Sequence, residues 1–165
     1  HLGLMRPYSK GELKLSTKDP QTPPQILINY LKDRRDITSM QNGIKIVRDI
    51  VRQSAFDGLT GTEIFPGEQI KSKQELENTL SANVSSQWHL TGTAKMGSST
   101  DKNAVVNELG QVYGIKNLRI VDASIMPAVT NGNTNSPTIM IAEKLSDAIL
   151  GNDPLPRSNL EIWQQ

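Results

Sequence analysis

The chain has 165 residues, enough for a domain with a real hydrophobic core. Hydrophobic residues make up 36% and charged residues 21%, a soluble globular composition, and 18 basic side chains stand against 17 acidic ones with no basic block to suggest a nucleic-acid partner. Cysteine is absent, which excludes a disulfide framework, a thiolate nucleophile and cysteine-based zinc sites; no metal site is assigned, and no apolar run approaches the roughly 18 residues that span a bilayer.

The opening His1-Leu2-Gly3-Leu4-Met5 carries neither an initiator methionine nor a signal-peptide pattern and reads like the middle of a strand. A truncated or processed piece is expected, with its targeting information cut away and a location in the cytoplasm or at a membrane surface. Residues 11–16 alternate polar and apolar, with Leu13 and Leu15 on one face, so a half-buried strand is expected. Asp19-Pro20 and Pro23-Pro24 punctuate the next stretch. A second strand is expected over residues 25–29 through Ile26 and Ile28. Helical spacing then takes over in residues 36–55: Ile37, Met40, Ile44, Val47 and Val51 form one stripe, expected to pack on a sheet, with Asp36 as the N-cap.

Pro66-Gly67 marks a turn in a Gly-rich stretch. Ser72-Lys73-Gln74-Glu75 has the capping-box form, so a helix is expected from there to about Ala82, burying Leu76 and Leu80. Residues 84–103 carry little periodic signal. Short strands are expected at 104–107 and 111–113, and a compact buried strand at 118–121. Residues 124–136 read as a loop, with Asn135 or Ser136 capping the helix that follows. Pro137 suits its first turn, Gly151 its end, and Ile139, Ile141, Ala142, Leu145 and Ile149 its buried face. The tail, 152–165, is expected to lie extended.

Three segments carry more than packing. In the first, Gln87-Trp88-His89-Leu90-Thr91-Gly92-Thr93-Ala94-Lys95-Met96-Gly97, a histidine sits beside a tryptophan and a Thr-Gly-Thr turn. Imidazole suits proton abstraction near neutrality, although a lone histidine is more often structural. In the second, Asp122 and Ala123 follow a strand-like run, where α/β proteins gather ligands, although an Asp there is commonly a turn former. In the third, Thr130-Asn131-Gly132-Asn133-Thr134-Asn135-Ser136-Pro137-Thr138 precedes a helix. It offers free N–H groups and the positive end of the helix dipole, suited to a carbonyl oxygen or a developing anion; capping alone would not account for Asn131, Gly132 and Asn133.

Together these segments, with Met5-Arg6-Pro7-Tyr8-Ser9-Lys10-Gly11 near the start, resemble the C-terminal region of the glucose–methanol–choline (GMC) oxidoreductases over about residues 3–151. The choline-oxidising members are nearest, sharing Asp-Ala-Ser-Ile-Met-Pro and a Leu-Pro-Arg-Ser near the end, here residues 155–158. The resemblance implies an α+β fold: an antiparallel substrate-domain sheet with covering helices (1–83), then a strand–loop–helix segment of an incomplete FAD-binding domain (84–151) and a surface tail (152–165).

It also implies that the full-length parent oxidises a primary alcohol, with choline as one candidate, to the aldehyde by hydride transfer to FAD. His89 would be the base, and Asn133 would donate a hydrogen bond to the substrate oxygen. Asp122 and Ala123 would contact the cofactor's ribityl–pyrophosphate region, and the backbone at Thr134, Asn135 and Thr138 would lie by the flavin ring. The implied partners are a small alcohol and the N-terminal FAD-binding half. The isolated 165 residues are expected to bind little FAD, to be inactive, and to self-associate through exposed apolar surface.

Departures from the family pattern are Leu90 and Ala94, where proline and cysteine are usual, and the lack of a Gly-x-Gly-x-x-Gly fingerprint. A flavoprotein lyase on the same fold and a non-catalytic interaction domain are the alternatives. The intact His89, Asp122 and Asn133 weigh against the latter.

Overall fold

The computed structural model describes residues 2–156 and 158. The chain divides into two compact units, residues 1–89 and 90–165, and mixes helices with one small antiparallel sheet.

In the first unit, strands β1 (Glu12–Lys14) and β2 (Gln25–Leu27) pair antiparallel, Leu13 opposite Ile26. The connection is shaped by Asp19, whose carboxylate accepts from Gln21 N (2.9 Å) and whose carbonyl accepts from Thr22 N (3.1 Å). The expected half-burial is not observed. Every residue of both strands is exposed: alternation marks a face fit for covering, and nothing among the described residues covers it.

Helix α1 (Arg34–Val51) starts two residues before the expected start, and its N-cap is Asp33, not Asp36; the Asp33 side chain accepts from Arg35 N. Asp36 stands in the first turn and is 2% exposed. Its two carboxylate oxygens accept the backbone N–H groups of Tyr8 and Ser9, each at 2.8 Å. Ser9 Oγ accepts from Asp33 N (3.0 Å), and the Arg35 guanidinium lies 3.8 Å from the centre of the Tyr8 ring. The segment before β1 is thereby held to the start of α1.

The capping box forms as expected: Ser72 Oγ accepts from Glu75 N, and Glu75 accepts in return from Ser72 N (3.0 Å). It opens α2 (Lys73–Asn83), whose Leu76 and Leu80 are buried. They pack with Ile44, bordered by Leu31, Met40 and Ile70. The α1 stripe therefore closes on a helix, not on the sheet, while Val47 and Val51 at its far end stay exposed. Arg48 forms a bidentate pair with Glu63 (both 2.8 Å) and donates to Gly67 O (3.0 Å), pinning the loop that contains the Phe65–Pro66 cis peptide.

The second unit has no multi-residue strand among the described residues. The expected strands at 104–107, 111–113 and 118–121 reduce to single bridges, Val106 with Val112 and Gln111 with Arg119, plus a parallel bridge from Met96 to Val106. Gly110 allows the tight passage: at its φ of +69° a Cβ would fall 2.7 Å from Ile120 O. Leu118 is exposed, against the expected burial.

Helix α3 (Asn135–Leu150) ends at Gly151 as expected. Its core residue is Leu145, packed with Val106 and Ile125 and flanked by Ile120, Val121 and Ile141. Ile139 and Ile149 are exposed, so the apolar face is wider than what this chain buries. Of the tail, Arg157 and residues 159–165 lie outside the described residues, including the arginine of the Leu-Pro-Arg-Ser run.

Candidate functional site

Two of the three segments singled out in the sequence are joined by backbone hydrogen bonds. Residues 123–125 form a 3₁₀ turn capped by Asp122, whose carboxylate accepts from Ser124 N at 2.7 Å. Its carbonyls accept in succession from the strip after His89: Gly92 N to Ala123 O (3.4 Å), Ala94 N to Ser124 O (2.9 Å) and Met96 N to Ile125 O (2.8 Å). This two-residue step is what a strand edge provides, here achieved without a strand. Gly92 takes a φ of +83° beneath Met126, where a Cβ would sit 3.3 Å from the Met126 carbonyl oxygen.

Further contacts stiffen the strip. Lys95 Nζ pairs with Asp101 at 2.6 Å, and Tyr113 Oη donates to Gly97 O at 2.8 Å. The Lys95 hydrogen bond, followed by one from Asn103 N, holds the Asp101 carboxyl below its usual range. Sequence reasoning missed this brace. Its available signal was the Asp-x-Asn turn at 101–103, where Asp101 accepts from Asn103 N (2.9 Å).

The helix that the third segment leads into is packed on the second segment through the core cluster of Ile125 and Leu145. The expected cap at Asn135 or Ser136 is not observed. Thr134 is the N-cap residue, is 9% exposed, and makes no side-chain capping hydrogen bond. Its carbonyl accepts from Thr138 N (3.0 Å) and Thr138 Oγ1 (2.6 Å). The Thr138 amide is therefore engaged within the helix, and the Asn135 and Ser136 amides of the first turn have no backbone acceptor among the described residues. Asn133 and Asn135 are exposed, Asp122 is exposed, and Ala123 and Thr138 are half-buried.

His89 is the last residue of the first unit and is half-buried; Asn133 belongs to the second. His89 follows Trp88, which is 88% exposed and held at a φ of +63°, an uncommon conformation for a bulky residue. The Trp88 amide donates to Ser86 Oγ at 2.9 Å. No group of three His, Asp or Glu side chains is placed to hold a metal among the described residues.

The second unit thus combines a strip following a histidine, a 3₁₀ turn capped by a carboxylate, and a helix start without a side-chain capping hydrogen bond. The family model for GMC oxidoreductase matches residues 7–142, and the chain belongs to that family. It is 41% identical over 163 residues to oxygen-dependent choline dehydrogenase 1 of Chromohalobacter salexigens, covering 99% of this chain and 29% of the relative. It is 44% identical to oxygen-dependent choline dehydrogenase of Pseudomonas savastanoi pv. phaseolicola, covering 99% and 28%. The chain thus spans well under a third of the length of these curated relatives.

Among solved structures, pyridoxine 4-oxidase from Mesorbium loti superposes with a TM-score of 0.82 at 27% identity, over 91% of this chain and 29% of the other. A formate oxidase from Aspergillus oryzae RIB40, studied for its FAD modification, gives 0.81 at 31% identity, over 90% and 26%. No helix among the described residues is long and apolar enough to cross a membrane.

Proposed function

We propose that this chain is the C-terminal segment of an FAD-dependent alcohol oxidoreductase, with residues 1–83 contributing to a substrate-binding domain, 84–151 to the catalytic loop and flavin-binding domain, and 152–165 forming a surface tail. The observation that carries the proposal is the backbone ladder from Gly92, Ala94 and Met96 to residues 123–125. It fixes the strip that follows His89 against the turn that presents Asp122.

The donor and acceptor set fits a flavin. The α3 start offers the Asn135 and Ser136 amides with no side-chain cap, suited to the electron-rich oxygens of an isoalloxazine edge. Asp122 has one oxygen engaged with Ser124 N and the other open to accept from ribityl hydroxyls. Ala123 adds a small side chain beside it, and Thr134 and Thr138 shape the first turn. FAD, when bound, supplies the acceptor for the hydride leaving the carbinol carbon. His89 takes the hydroxyl proton of the alcohol, and Asn133 donates a hydrogen bond to the same oxygen and orients it. Choline is the first alcohol to test, because the curated relatives carry its name.

The experiment is steady-state and single-turnover kinetics of the full-length parent with choline and other primary alcohols. His89→Ala is expected to lower kcat by about 10²- to 10⁴-fold, the scale of general-base loss. Asn133→Ala is expected to have a smaller effect. Near-normal turnover in the His89 variant removes it from the base role. The isolated 165 residues are expected to bind little FAD and to show no turnover; a stable yellow complex would contradict that.

A further inference from the structure

The first unit contains a positively charged cleft to which the oxidoreductase reading gives no role. Its two walls are one face of α1 and the start of α2, and it encloses about 470 Å³, within the roughly 300–1,000 Å³ of small-molecule sites. On α1, Arg34, Thr38, Gln41, Asn42 and Lys45 follow at helical spacing. Lys71, Lys73 and Gln74 enter from the other wall, over a floor formed by buried Leu76.

Four cationic residues and one acidic residue, Glu77, line the cleft, and Glu77 is paired with Arg34. Lys45, Lys71 and Lys73 make no ion pair among the described residues. Three like charges around one concavity repel each other and concentrate counter-ions.

The walls are also fixed. Gln41 Nε2 donates to Lys73 O at 2.8 Å, tying α1 to the first residue of α2, and the Arg34–Glu77 pair spans the cleft. The capping box engages the amides of Ser72 and Glu75. Those of Lys73 and Gln74, the first two helical residues, have no acceptor among the described residues and lie in the same wall. A lining of ammonium groups and helix-start amides suits an anion with several oxygens better than a single carboxylate, which has fewer acceptors.

We propose that this cleft binds a phosphate-bearing anion with the charge of a diphosphate, held by Lys45, Lys71 and Lys73 and the α2 amide end. The anion is either free in solution or the headgroup of a phospholipid.

The test is calorimetric titration of inorganic pyrophosphate into the full-length protein at low and high salt. A parallel arm measures cosedimentation with phosphatidylcholine vesicles with and without phosphatidic acid. The triple variant Lys45→Gln, Lys71→Gln, Lys73→Gln is compared with a control of equal net charge, Lys18→Gln, Lys102→Gln, Lys144→Gln. All six side chains are exposed, and thermal melts establish that both variants fold.

Saturable pyrophosphate binding that weakens roughly tenfold in the cleft variant, weakens with salt and survives in the control supports a free anion. Vesicle binding that depends on phosphatidic acid and on the same three lysines, without pyrophosphate binding, supports a headgroup. Binding in neither arm, binding kept by the cleft variant, or equal loss in the control overturns the proposal.

Discussion

The two units are held together in different ways. The first rests on regular helices: Ile44 of α1 meets Leu76 and Leu80 of α2, each at a spacing visible as a period. The second buries Val106, Ile125 and Leu145, only the last of them in an α-helix, and connects its segments by single bridges and amide–carbonyl bonds. Binding residues are commonly carried on irregular segments that a scaffold holds in place. The proposed cofactor-facing residues Asp122, Ala123, Asn135 and Thr138 all lie in the irregular unit or at its helix start.

The sharpest way to break this contrast is to remove one core side chain from each unit. Ile125 is fully buried, sits in the turn that carries the ladder, and gives its carbonyl to Met96 N. Ile125→Ala is expected to cost about 2–5 kcal/mol, the range for truncating buried isoleucine, and also to weaken flavin retention in the parent. Ile44→Ala, in the helical unit, is expected to cost a similar amount while flavin retention holds. Chemical denaturation read beside flavin absorbance checks both. Equal flavin loss in the two variants would erase the distinction.

Next in size is Asp36, which joins the strand-side segment to α1 within the first unit. Asp36→Ala strands the Tyr8 and Ser9 amides that its carboxylate accepts. The expected cost is about 1–3 kcal/mol, the scale of losing hydrogen bonds to a charged group. Proteolysis at residues 1–10 is expected to accelerate. Asp36→Asn, which keeps one acceptor oxygen, is expected to fall between; an alanine variant as stable as wild type would refute the clamp.

Asp36 also shows how far the sequence could be read. Asp33 and Asp36 stand three apart ahead of one apolar stripe, and residue type alone did not say which would cap α1. The choice turned on which side chain has backbone donors brought to it from residues 8 and 9, a tertiary fact. The capping box at Ser72 needed no such partner and was legible. So were the buried Leu76 and Leu80, because period and cap agreed. Burial on Leu13, Ile139 and Ile149 was misread: a period marks the face that can be covered, and these residues are exposed in this chain. For the proposed site, the motif residues were singled out through resemblance. The ladder from 92–96 to 123–125 was not, since amide–carbonyl bonds leave no side-chain signature.

The smallest effect is set by Glu63, whose pair with Arg48 ties a long loop to α1. The Arg48 hydrogen bonds, with a further one from Gly67 N, hold the Glu63 carboxyl below its usual range. A carboxyl lowered in the folded state favours folding fully above its unfolded pKa. It loses that contribution as pH falls through the folded value. Glu63→Gln is therefore expected to lower stability at neutral pH by about 1 kcal/mol, the scale of a partly exposed pair, and the deficit should shrink as the medium is made more acidic than the ordinary glutamate range. Urea midpoints for both proteins across neutral to acidic buffers measure it. A deficit that stays constant across that range would mean that the glutamine loses packing, not charge, and the loop between residues 58 and 71 would then be held by shape.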